Sequence, residues 1–162
     1  MKIRSCFISN SSSSSFIVAF PKTPKDITET RLMVFGDDER VMVPFGGQCS
    51  FPTQTMAEVI FDNIQQQVSN NKEKIVESIS CGWFDGRLEY DDFEDSKGKI
   101  NWVRYKKEND KIATKIAKQF ITQNKNKQIY IFSYSDNDGE MMSTMEHEDI
   151  FRRLNHIVTS YH

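Results

Sequence analysis

Long apolar runs and paired cysteines are both missing from this sequence. The longest uninterrupted apolar stretch is Phe16–Phe20, whereas a helix that spans a bilayer needs about 20 such residues. Cys6, Cys49 and Cys81 are odd in number and widely spaced, which fits neither a disulfide framework nor a zinc knuckle. Serines stand where the apolar part of a signal peptide would follow the basic N-terminal residues. We therefore expect a cytoplasmic protein that does not associate with a membrane.

A strong excess of one charge is also absent. The 162 residues include 21 basic and 23 acidic side chains, which gives a net charge of -2, and 38% are apolar. This is the length of one domain, and a chain near 150 residues buries about 70% of its unfolded surface on folding. We expect a single domain over residues 1–162. Its first 15 residues form a polar, serine-rich segment that is either flexible or part of a site.

Several stretches have the spacing of amphipathic helices. An apolar side chain recurs every four residues from Met56 to Val68, and the pattern resumes from Ile75 to Ile79 ahead of Gly82. Residues 105–123 contain two adjacent apolar rows, the clearest helical pattern in the chain. The predicted helices cover 54–68, 75–82, 105–123 and a short segment near Thr144, where Ser143 and Glu146 fit a capping box.

Short β-branched and aromatic stretches between turn residues predict strands. Phe16–Phe20 is typical of a buried strand, and Arg31–Phe35 with Val41–Phe45 predicts a hairpin whose second strand is confined to an edge by Pro44. Further strands are predicted over 100–104, over 128–134 as a central strand, and at 157–159. The order of these elements predicts an α+β fold, a mostly antiparallel sheet with about three to four helices packed on it.

The most unusual local feature is the serine run, residues 9–15, which leads into the first strand. Hydroxyl groups and loop amides can hold a phosphate, although the glycines and lysine of a phosphate-binding loop are missing. The alternative is a flexible polar segment, or serines that satisfy backbone groups of a turn. The candidate phosphate-binding residues are Ser11, Ser12, Ser13, Ser14 and Ser15.

Charge is distributed unevenly along the chain. Residues 97–127 contain ten basic and two acidic side chains, a local charge of +8, so the other residues together carry -10. On the predicted helix, the side opposite its main apolar row carries what we call the lysine stripe: Lys107, Lys111, Lys115 and Lys118. Such a stripe can bind an acidic protein surface or nucleic-acid phosphates in a salt-dependent way. The alternative is a solvated helix face without a partner.

The C-terminal region combines carboxylates with all three histidines of the chain. Carboxylate oxygens and imidazole nitrogens are ligands of divalent metals, although the spacing of glycine excludes an EF-hand. We predict Asp136, Asp138 and His147 as metal ligands, with Glu146 and His147 as a catalytic acid–base pair. The alternative explanation is structural, since Glu148 with Arg152 and Asp149 with Arg153 have the spacing of ordinary helix ion pairs, and residues 136–140 suit a turn.

Both ends of the chain carry a resemblance. Residues 1–16 with the serine run, and the Asp-x-Asp-Gly-Glu stretch at 136–140 followed by Glu146, His147 and His162, resemble a family of small phage and bacterial proteins with a serine-rich N-terminus. The resemblance implies a bacterial or phage setting and brings no activity with it. It also implies that the serine run and the Glu-His pair belong together.

Three functions are compatible with these patterns. The first is a phage-encoded or bacterial accessory protein that binds a host protein through the lysine stripe or an acidic segment. The second is a metal-dependent phosphoester hydrolase or nucleotide-binding enzyme, which requires Glu146 and His147 to converge with the serine run on a divalent metal. The third is a nucleic-acid-binding protein, which requires aromatic residues beside the lysine stripe and no acidic segment near it.

Overall fold

The computed structural model describes residues 13–44, 49–84 and 86–161. Of residue 161 it describes the backbone only. The predictions for Cys6, Ser11, Ser12, Phe45 and His162 fall outside these residues. Within them no helix combines the length and the apolar character that crossing a membrane requires. The strands are β1 (Ser13–Phe20), β2 (Arg40–Met42), β3 (Ser50–Pro52), β4 (Gln128–Ser135) and β5 (Asn155–Tyr161). The helices are α1 (Ile27–Phe35), α2 (Thr53–Gln65), α3 (Lys72–Cys81), α4 (Trp102–Gln123) and α5 (Glu140–His147).

The main sheet is antiparallel with the strand order β4-β1-β5, and β2 pairs with β3 in a second, two-stranded sheet. The predicted α+β class is confirmed. In the register, Phe16 lies opposite Phe132 of β4 and Val158 of β5. β1 is the central strand and β4 lies at an edge, so the prediction of a central strand at 128–134 is wrong in its placement.

Helices cover both faces of β1, which explains why its apolar residues form a continuous run. Phe16, Val18 and Phe20 face a core shared with α1, α2 and α5, while Ile17 and Ala19 face a second core under α3 and α4. Each fully buried Phe or Ile side chain contributes about 1.5–3 kcal/mol relative to its exposed state. The two cores therefore hold the sheet between two helical layers.

Residues from outside the main sheet bond to backbone groups at both of its edges. The Gln67 side chain donates to the carbonyl of Ile131 (3.0 Å) and accepts from its N–H (2.9 Å), and Asn70 makes a similar pair of bonds with Ile129. On the other side, Trp83 exchanges two backbone hydrogen bonds with Ser160. These contacts occupy backbone groups that would otherwise be open to a further strand.

The predicted strand Arg31–Phe35 is wrong, because this segment is the second half of α1. Asp26 caps the helix by accepting from the N–H of Glu29 (2.8 Å), and Thr30 and Val34, one turn apart, are buried. Glu29 in this first turn pairs with Lys22 and accepts from the backbone N–H of Lys25, and these contacts lower the pKa of its carboxyl. The hairpin partner of β2 is therefore β3 rather than residues 31–35.

Two other boundaries differ from the prediction. Residues 100–104 do not form a strand, because Asn101 caps α4 by accepting from the N–H of Arg104 (3.0 Å) and the helix begins at Trp102. The predicted capping box at Ser143 is also wrong, since α5 begins at Glu140, after Gly139 with φ 104°. The β-branched C-terminal segment is a strand, as predicted.

Candidate metal centre

A short turn and a short helix bring Glu146 and His147 back to the end of β4. After β4 a single 3-10 turn covers Asp136–Asp138, and Gly139 has a positive φ that allows the chain to enter α5. The fully buried Met145 fixes α5 in the first core. The last turn of α5 therefore lies next to the residue that follows β4.

Asp136, Glu146 and His147 converge at this point. One ligand atom from each lies within 4.8 Å of the other two. Glu146 Oε2 and His147 Nε2 are 3.8 Å apart. Two atoms bound to one ion at about 2.1 Å lie no more than about 4.2 Å apart. Binding of one ion by all three therefore requires these atoms to move closer together than they lie here.

The three side chains differ in their exposure to solvent. The side chain of Glu146 is 1% exposed and that of His147 is 30% exposed, while Asp136 is exposed. A buried carboxylate is costly unless hydrogen bonds or a cation compensate it. The arrangement therefore has one fixed carboxylate at the bottom, an imidazole at the rim and a second carboxylate at the surface.

The described part of the serine run, Ser13–Ser15, begins β1 at the same end of the sheet, and Ser14 and Ser15 are buried there. Ser13 lies opposite Ser135, the residue before Asp136, and Ser14 lies opposite Tyr134. The Ser15 hydroxyl is 2.7 Å from that of Ser133, so this serine serves the pairing of β1 with β4. Because side chains alternate along a strand, Ser14 lies on the face that α5 covers, whereas Ser13 and Ser15 lie on the other face.

Tyr134 is a buried polar residue two positions before Asp136. Its ring stacks on Phe132, with centroids 6.5 Å apart, and meets the Phe16 ring at a tilt of 45° with centroids 5.9 Å apart. Its hydroxyl has no hydrogen-bond partner in the described part of the chain. Burial raises the pKa of Tyr134 well above its usual range, so the ring remains neutral beside the candidate centre.

The other C-terminal candidates lie outside the three-residue group. Asp138 is exposed on the turn and is not one of the three clustered residues. His156 Nε2 is 3.1 Å from Asp149 Oδ1, while Arg152 pairs with Asp38 at 2.8 Å instead of with Glu148. The predicted helix ion pairs of Glu148 with Arg152 and of Asp149 with Arg153 are both wrong, because α5 ends at His147.

The lysine stripe lies on the solvent side of α4, away from the cluster. All four lysines are exposed, and Ala113 and Ala117 on the opposite side pack under the sheet. Lys111 donates to Glu108 at 2.8 Å. An acidic 3-10 turn, Tyr90–Phe93, packs near the N-terminal end of the same helix. The stripe is therefore a solvated face with acidic residues at one end.

Sequence reasoning missed two features near these elements. A cavity of about 270 Å³ lies between α1, β2 and the segment after α5, and Arg40, Glu148 and Ile150 contribute to its lining. A group of exposed aromatic side chains lies around Trp83 and Trp102. The two tryptophans are the only ones in the chain, and this rarity is the sequence signal that points to the group.

Comparison with protein-family models, with curated proteins and with solved structures finds no match.

Proposed function

We propose that this protein is a metal-dependent hydrolase of phosphoesters that holds a divalent cation with Asp136, Glu146 and His147. The observation that carries the proposal is the convergence of these three side chains, from a turn and a helix end, within 4.8 Å. The half-buried Ser13, which enters the sheet at the same end, supports a phosphate-containing substrate.

The ligand set favours a metal of intermediate softness. Two carboxylates and one imidazole suit Mn²⁺, Zn²⁺ or Fe²⁺, and three protein ligands leave positions for water and substrate. A bound cation would supply Lewis acidity and a water whose pKa falls from 15.7 to about 7.

Each residue has a role that follows from its position. Glu146, buried on α5, holds a fixed oxygen toward the cation. His147 and Asp136 lie at the accessible rim, where a ligand can exchange or accept a proton from water. In the reaction the water oxygen forms a bond to phosphorus, the bond from phosphorus to the ester oxygen breaks, and the leaving alcohol takes up the proton.

Hydrolysis of bis(p-nitrophenyl) phosphate tests this function. We expect activity with Mn²⁺ or Zn²⁺, its loss in EDTA, and a fall in kcat/KM of at least about 100-fold in Asp136→Asn, Glu146→Gln and His147→Gln. The matched control is Asp149→Asn, which removes the carboxylate of the other acid–histidine pair and leaves the rate unchanged. Metal-independent hydrolysis, or full activity of Glu146→Gln, would contradict the proposal.

Binding of a host protein through the lysine stripe is a second candidate function, and a phage or bacterial origin belongs to the same proposal. It is favoured by the exposure of all four lysines on one helix face. Charge reversal at Lys107 and Lys115 should abolish a salt-sensitive, nuclease-resistant interaction with a protein from bacterial lysate. An interaction that survives the reversal would place the binding surface elsewhere.

A further inference from the structure

A group of aromatic side chains forms an exposed surface at one end of the molecule. Trp83 is 43%, Tyr90 41% and Trp102 59% exposed. Tyr90 and Trp102 have ring centroids 6.2 Å apart, and Trp102 meets the buried Tyr105 edge to face at 5.9 Å. We call Trp83, Tyr90 and Trp102 the aromatic platform. It brings together three segments of the chain that are separate in sequence.

A fixed arginine supports the platform. The Arg87 guanidinium lies 4.6 Å from the ring centroid of Trp83 and 5.9 Å from that of Tyr105. It also donates to the Tyr105 hydroxyl (2.8 Å) and to the carbonyl of Gly82 (3.0 Å). Cation–π contacts and hydrogen bonds together hold this cation between the rings. The platform therefore combines flat apolar rings with a positive charge. The side chain of Arg87 that carries this charge is already held in place before a ligand binds.

The platform and the metal cluster lie at the same end of the main sheet. Trp83 bonds to Ser160 of β5, Ser160 lies opposite Ser14 of β1, and Ser13 lies opposite Ser135 of β4, next to Asp136. The helix α4, which carries Trp102, and α5 cover opposite faces of the main sheet, so a ligand of both sites has to pass around the end of the sheet. Three strand spacings of about 4.8 Å, about 14 Å, are therefore the least separation of the two backbone segments. A stacked nucleic-acid strand advances about 3.4 Å per nucleotide, so about four nucleotides cover this distance.

We propose that the substrate of the metal centre is a nucleobase-bearing phosphoester whose base stacks on the aromatic platform while its phosphoester lies at Asp136, Glu146 and His147. This inference rests on the proposed function and names its substrate class. Every base has a flat face, so stacking on tryptophan is tolerant of sequence. Arg87 adds a cation beside the rings.

The acidic residues of the neighbouring turn limit the size of this ligand. Asp91 and Asp92 flank Tyr90 and are exposed, and they repel a long polyanion. The ligand is thus a short single strand of at least about four nucleotides, because a free nucleotide is too short to reach both sites. This ligand differs from the duplex or polymer that the lysine stripe would favour.

Tryptophan fluorescence provides a direct test, because both tryptophans of the chain belong to the platform. The whole protein is titrated in EDTA with a single-stranded tetranucleotide, with a mononucleotide and with inorganic phosphate. We expect quenching by the two base-containing ligands and none by phosphate. The tetranucleotide should bind more tightly than the mononucleotide, and equal affinity for the two would overturn a ligand that spans the platform and the metal centre.

Variants separate this inference from the proposed function. Trp102→Ala should weaken binding of the tetranucleotide about 5- to 150-fold, Trp102→Phe should retain most of it, and Val68→Ala, at another exposed apolar position, should have no effect. Glu146→Gln should bind normally in EDTA and fail to hydrolyse. Absence of quenching, or unchanged affinity in Trp102→Ala, overturns the platform, while Mn²⁺ binding measured on the same proteins reports on the metal centre independently.

Discussion

Metal binding at the cluster should stabilise the folded protein, and Glu146 should be essential for that effect. Asp136, Glu146 and His147 come from a turn and a helix end, so only the folded chain presents all three to one ion. A ligand at 100 times its dissociation constant adds about 2.7 kcal/mol to the free energy of unfolding. A domain of this size gains about 2–4 °C in Tm per kcal/mol. Saturating Mn²⁺ should therefore raise Tm by about 5–11 °C.

The assay is differential scanning calorimetry with and without Mn²⁺ at constant ionic strength. Glu146→Gln keeps the size of the buried side chain and removes its charge, so its Tm should change with metal by about 1 °C or less. Asp149→Asn keeps the whole cluster and should show the full wild-type shift. Comparing each variant with itself cancels the effect of the substitution on stability. Equal shifts in the wild type and in Glu146→Gln, or no shift in the wild type, would refute the reasoning.

Three further predictions concern stability, measured by urea denaturation. Tyr134→Phe should raise the free energy of unfolding by about 1 kcal/mol, because it removes a buried hydroxyl without a described partner; a loss of stability would show that the hydroxyl is satisfied. Gly82→Ala should cost about 1–3 kcal/mol, because a Cβ there would lie 2.6 Å from Thr159 Cβ, and a neutral effect would contradict the close approach. Gln67→Ala should cost about 1–3 kcal/mol and increase light scattering, since it uncovers the edge of β4 at Ile131. Unchanged scattering would mean that the edge is protected in another way.

The long elements could be predicted from sequence because their signals are repeated. The apolar rows of α2 and α4 extend over several turns, and the run at Phe16–Phe20 is bounded by Pro21. Residues 31–35 were misassigned because four consecutive apolar residues have no helical period by themselves. Their helical state depends on the cap at Asp26 and on packing against α2, neither of which the local pattern contains.

The difference between local signals and tertiary contacts also explains which parts of the candidate sites could be predicted from the sequence. Asp136, Glu146 and His147 are separated by one turn and one short helix, so their proximity is a local property and their residue types already indicated metal chemistry. The aromatic platform depends on the pairing of Trp83 with Ser160 and on the approach of Tyr90 to α4. The first contact joins distant parts of the chain, and the second depends on how the turn Tyr90–Phe93 packs on α4, so no spacing in the sequence encodes them.

The central position of β1 has a consequence for how the protein is made. The most apolar strand precedes the other described strands in the chain, yet both of its neighbours come from residues 128–161. A nascent chain therefore carries β1 as an unpaired, apolar segment until more than 100 further residues have been added. Folding that waits for such distant contacts is slow and exposed to aggregation. We expect ribosome-bound intermediates of this protein to depend on chaperones, and chains truncated before β5 to accumulate as insoluble material.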